Sequence, residues 1–237
     1  MRHSRSLLGA LFLLVGCAPA FQSRLPDARV DPSRVAIAPV VALAYESDFY
    51  GKRTARPDWG AVMQRHMSSE VSAVARAQGA FPLPLDNVEA CGETCISLLG
   101  SLMRWGTVAS MEIAAQMYGR ADYKRRSVGD WTLSLDYRPL IQATNADYAL
   151  LVVARETHET GGAKAANFFS GRYTYYKQVA SACVVSLRYG RMIACTSKVD
   201  SALDLRDAAA AQNLVDKLLS KLLPSLSRPA STQAQRP

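Results

Sequence analysis

The residues with the clearest chemical potential lie in two groups. The segment Glu156-Thr157-His158-Glu159-Thr160 follows an apolar run, and in an extended chain it alternates its side chains. Glu156 and His158 then share a face, the arrangement needed for two metal ligands or for an acid–base pair. One histidine and one carboxylate do not complete a metal site, and no third ligand is evident from spacing, so no metal is expected. His66 lies beside the apolar face of a helix and reads as a boundary residue. Gly161-Gly162-Ala163-Lys164 lacks the spacing of a phosphate loop, and no Gly-x-Ser-x-Gly elbow is present. No catalytic residue, cofactor or metal is assigned on these grounds. The second group is the five cysteines: Cys17, Cys91, Cys95, Cys183 and Cys195. Three residues lie between Cys91 and Cys95, one more than redox motifs usually have. A bridge between them would close a tight loop before a helix.

Cys17 stands apart because of what precedes it. Arg2 and Arg5 form a short basic start, residues 7–16 are apolar, and Leu14-Val15-Gly16-Cys17 matches the bacterial lipobox. The apolar run is too short to span a bilayer and fits a signal-peptide core. Residues 1–16 are therefore expected to be a lipoprotein signal peptide, with Cys17 the lipidated residue. An ordinary secretory signal with a chance cysteine is the other reading. Ala18, in place of Asp, leans toward the outer membrane, with the domain facing the periplasm. Residues 17–33 carry three prolines and no periodicity and are expected to be a tether. Residues 227–237 are expected to be a disordered tail.

Between them, residues 34–226 suffice for one domain with a substantial core. Val35–Leu43 is apolar on both alternations, as in a strand covered on both faces. Residues 45–56 read as a polar loop. Pro57 opens a helix with Trp59, Val62, Met63, Met67, Val71 and Val74 on one face, and Gly79 ends it. Phe81–Leu85 reads as a short extended edge. Residues 94–118 read as helix with a possible break at Gly106, 138–144 as a short helix, and 147–154 as the clearest strand. Strands at 177–188 and 191–199 precede a last helix from near Asp204 to Leu223, ended by Pro224. The expected fold is α/β: a mixed sheet of about four to five strands with packed helices, a C-terminal antiparallel meander and a closing helix.

A three-residue loop at Arg188-Tyr189-Gly190 sets the register of the last two strands. Leu187 then faces Arg191, Val185 faces Ile193, Cys183 faces Cys195 and Val179 faces Val199. Opposed residues in an antiparallel pair are close enough for a disulfide. Cys183–Cys195 is thus the favoured bridge and Cys91–Cys95 a second; buried thiols packing as hydrophobes is the alternative.

The formal charge is +8, or +6 without Arg2 and Arg5. The basic residues are scattered, with a short cluster at Lys124-Arg125-Arg126, and nucleic-acid binding is not expected. Phe168, Phe169, Tyr173, Tyr175 and Tyr176 crowd a glycine-flanked loop, a candidate partner-binding surface. Packing over their own sheet is the competing reading.

The lipobox, "RVAIAPV", a long helix, "ADYALLVV", a polar loop, a hairpin and a closing helix together resemble two lipoprotein-type domains. These are the family of the curli-export lipoprotein and the N-terminal domain of the Tol-system translocation protein. Cys95, Arg104-Trp105 and Met111-Glu112-Ile113-Ala114 also resemble a family of proteobacterial lipoproteins. The likeness covers roughly residues 34–223. It implies an α/β scaffold used in envelope assembly, secretion or enzyme activation by contact, with no catalytic residues to transfer. The pore-forming hairpins of curli exporters are not evident, so no channel is expected. The expected function is a non-enzymatic, lipid-anchored envelope lipoprotein that binds a protein or cell-wall partner. An envelope hydrolase using Glu156 and His158 is the rival.

Overall fold

The computed structural model describes residues 21–25, 29–117, 127–164, 178–200 and 204–227. Cys17, the aromatic loop from Phe168 to Tyr176, the Lys124–Arg126 cluster and the tail beyond 227 lie outside them.

A mixed sheet forms the middle layer. Its strands are β1 (Phe21–Arg24), β2 (Val35–Ile37), β3 (Val41–Ser47), β4 (Arg53–Ala55), β5 (Phe81–Pro82), β6 (Tyr148–Glu159), β7 (Gln178–Ser186) and β8 (Arg191–Asp200). The order is β1-β8-β7-β6-β2-β5, with β3 joined to both β6 and β4. β6 is the organising strand. Along one edge it pairs in parallel first with β2 and then with β3, and along the other it pairs antiparallel with β7.

The helices are α1 (Pro57–Ala77), α2 (Leu85–Ala90), α3 (Glu93–Met117), α4 (Arg138–Thr144) and α5 (Ala208–Ser227). They cover both sheet faces. Met63, Met67 and Val71 of α1 and Leu214, Leu218 and Leu222 of α5 join Ile37, Leu150, Val152 and Ala182 in one core. Leu102, Ala109 and Ile113 of α3 and Leu140 of α4 meet Ala36, Ala149, Leu151, Cys183 and Cys195 in the other. Burial on both faces explains why β2 and β6 lack a polar alternation. Among the described residues, no helix is long and apolar enough to cross a membrane.

Several expectations need correction. The apolar run from Val35 is two strands, because Pro39 has no N–H to give the ladder and interrupts it. The polar stretch after it is a hairpin: β3 runs to Ser47 and β4 returns along it. Residues 21–24, expected in the tether, form edge strand β1 on β8. These strands raise the sheet above the four or five expected. Helix α3 does not break at Gly106, which is buried where a Cβ would stand 2.3 Å from Leu151 Cδ1. The glycine thus sets the approach of α3 to β6. Helix α5 starts at Ala208 and continues past Pro224 to Ser227. The carbonyl that loses its helical donor belongs to exposed Ser220, which water can reach.

The β7–β8 register matches the expectation from Val179↔Val199 to Cys183↔Cys195, then shifts at a bulge. Val185 faces Met192, not Ile193, and Ser186, not Leu187, faces Arg191. The loop is four residues, 187–190, and Gly190 takes a left-handed φ of 58°. The extra residue, Ile193, joins Ala194 in the α1/α5 core while Met192 enters the α3/α4 core. A bulge of this kind re-aims a side chain at modest cost.

Candidate functional site

At its C-terminal end β6 turns polar on the face that carries Leu150, Val152 and Ala154. The next two residues on that face are Glu156 and His158. Glu156 is 1% exposed, and burial pushes its carboxyl above the usual carboxylate range, opposed by the nearby His158, the Leu205 N–H and Gln178. Its neighbours come from three elements. Gln178, its cross-strand partner on β7, donates from Nε2 to Glu156 Oε1 at 2.6 Å. The backbone N–H of Leu205, just before α5, donates to Glu156 Oε2 at 3.2 Å. His158 Nε2 stands 3.0 Å from Glu156 Oε1.

Asp204 closes the group, with Oδ1 4.0 Å from His158 Nε2. Arg206 holds Asp204 in a fork, Nε to Oδ1 at 2.8 Å and Nη2 to Oδ2 at 2.6 Å, and its backbone N–H adds a bond to Oδ1. The Arg206 hydrogen bond keeps the Asp204 carboxyl below its ordinary value. Trp59, in the first turn of α1, forms the wall. It meets His158 edge-on at 5.2 Å between centroids. Arg56 lies over its ring at 3.8 Å and Arg206 at 4.6 Å. Arg56 is itself fixed by Glu46 at 3.1 Å and Asp58 at 2.9 Å.

Glu156 and His158 are therefore brought together as their shared face required. Spacing did not supply the third member. Glu156, His158 and Asp204 each offer a ligand atom, all within 4.8 Å of one another, so they are the group among the described residues able to hold a metal ion. Gln178, Trp59 and Arg206 were also missed as site residues. Trp59 read only as part of an apolar face. Asp204 reads as a residue near a helix start, and nothing local says that the chain returns it to the end of β6.

The cysteines sit away from this cluster. Cys183 and Cys195 are register partners on the α3/α4 face, with Cα atoms 4.1 Å apart and sulfurs 2.20 Å apart. Cys91 caps α2 and Cys95 lies in the first turn of α3, with Cα atoms 5.8 Å and sulfurs 1.92 Å apart. Gly92 makes the turn between them with a φ of 84°.

No protein-family model and no curated protein matches the chain. Among solved structures, it is similar to the PelC dodecamer from Paraburkholderia phytofirmans, with 10% identity and a TM-score of 0.34, over 90% of this chain and 99% of that one. A point-substituted form of the same dodecamer gives 11% identity and a TM-score of 0.36, over 88% and 99%. At these values neither likeness assigns a role to any residue here.

Proposed function

We propose that this chain is an exported, lipid-anchored envelope protein that works by binding a protein or cell-wall partner rather than by catalysis. The observation that carries the reading is the pairing of all four cysteines other than Cys17. Two disulfides in one domain suit an oxidising compartment and are rare in the cytosol. The lipobox ending at Cys17 supports the same address, with Ala18 favouring the outer membrane. The resemblance of the sequence to envelope-assembly lipoproteins also supports it. The partner is expected to meet the aromatic loop at Phe168, Phe169, Tyr173, Tyr175 and Tyr176.

Metabolic labelling with a palmitate analogue followed by a pull-down from solubilised envelopes tests both halves. Label on the wild type, its loss in Cys17→Ser, and weaker recovery of a partner after Phe168, Phe169 and Tyr173 are changed to Ser are the expected results. Retained label in Cys17→Ser overturns the anchor. A silent loop combined with loss of function in a folded Glu156→Gln, His158→Ala protein overturns the binding role and favours hydrolysis.

A further inference from the structure

We infer that Glu156, His158 and Asp204 form a site for one divalent transition-metal cation, zinc by preference. One imidazole nitrogen and two carboxylates are a donor set that zinc accepts, and three protein ligands leave a position for water or an outside ligand. With a neutral imidazole the two carboxylates match the ion's charge.

The geometry around His158 is the main support. Its Nε2 is buried and makes no hydrogen bond, although a carboxylate oxygen stands 3.0 Å away. The distance suits a hydrogen bond but the direction does not. Two donors each about 2.0–2.2 Å from one tetrahedral zinc ion stand about 3.3–3.6 Å apart, so the Glu156–His158 pair at 3.0 Å needs to open only slightly to take the ion between its two atoms. A second observation comes from Gln178. It is 2% exposed, its amide lies against Glu156, and its Oε1 has no partner. Gln178 holds Glu156 Oε1, the oxygen beside His158, and the Leu205 N–H holds Oε2, so both orient the carboxylate as outer partners of metal ligands do.

Asp204 is the weakest arm. Its Oδ1 already accepts two bonds from Arg206, so it must release one or turn Oδ2 to the ion, and the 4.0 Å gap must shorten. Arg56 and Arg206, stacked on Trp59, add positive charge beside the site. Together these features rank the ligands, His158 above Asp204. The site stands independently of where the protein resides.

Zinc titration of the chelator-stripped full chain, followed by calorimetry, tests the site, with cobalt absorption as a spectroscopic readout of coordination. One zinc per chain with Kd below about 10 µM is expected. His158→Ala should weaken binding by at least about tenfold and Asp204→Asn by less. His66→Ala should bind as the wild type does. Absence of binding, or equal binding in the wild type, His158→Ala and Asp204→Asn, overturns the site. Melting in chelator checks that His158→Ala is folded. If it is not, Asp204→Asn decides, because Asp204 has a side chain 45% exposed: weakened zinc binding supports the site and unchanged binding overturns it.

Discussion

Tyr137 is 1% exposed, sits in the α3/α4 core, and has a hydroxyl without a hydrogen-bond partner. Burial pushes its pKa from 10.0 up to about 12. The folded chain therefore keeps a proton that the unfolded chain gives up between those values. Stability from this residue is whole below about pH 10 and is lost as the pH rises toward about 12, a fall of about 2 kcal/mol. Tyr137→Phe should flatten that alkaline decline. Near neutrality it should be neutral or stabilising by about 1 kcal/mol, since a buried hydroxyl without a partner is removed. Urea denaturation from pH 8 to 12 reads both effects; identical alkaline slopes in the two proteins would refute the account. Single residues were legible in the sequence only where chain-local geometry fixed them. Glu156 and His158 share a strand face by the pleat alone. Asp204 and Gln178 reach the same point only through the way β7 and the start of α5 fold back onto β6, and no local spacing records that.

Elements were legible in proportion to how regular their burial is. α1, β6 and the apolar stripe of α5 repeat at one period over many residues, and their positions follow. The second half of β3 and all of β4 were not, because Tyr45 and Glu46 are only half-buried, β4 is exposed, and neither stretch carries an apolar alternation. The β7–β8 pair shows both cases. Apolar matching fixes the register through Cys183↔Cys195, and the bulge beyond it depends on Ile193 gaining burial against α5, which the hairpin alone does not encode. The two sulfur bridges differ in what they tie. Cys183–Cys195 spans a separation of 12 and joins the centres of two core strands, whereas Cys91–Cys95 spans 4 and joins two adjacent helix ends. Chain-entropy estimates give about 3 kcal/mol for the longer loop and about 2 for the shorter. Cys195→Ala is thus expected to lower stability more than Cys91→Ala in denaturant titrations without reductant. Reductant should shift the wild-type midpoint downward and leave a variant lacking both bridges unmoved. An unmoved wild type would mean that the cysteines are thiols.

At the scale of the whole molecule, β1 changes how the domain relates to Cys17. A free tether through residue 33 would let the domain drift from the bilayer. Instead the chain joins the sheet at Phe21, pairing with Ser197, and stays on it to Leu25, whose N–H bonds Ile193 O at 3.0 Å. Leu25 packs against both cores and lies over Gly129, where a Cβ would stand 2.6 Å from Leu25 Cδ2. Three residues separate Cys17 from Phe21, and the four steps between them reach at most about 14 Å. A lipidated Cys17 would therefore hold the β8 side of the sheet close to the membrane. β1 also covers the outer edge of β8, which would otherwise offer open backbone groups to another chain. Removing residues 21–25 should lower the melting temperature and drive self-association, seen by light scattering. Inserting a short Gly-Ser segment between Ala20 and Phe21 should change neither, because it lengthens the reach without uncovering the edge. A deletion variant that stays monomeric and melts with the wild type would mean that β1 contributes nothing to the sheet, and the close tethering would fall with it.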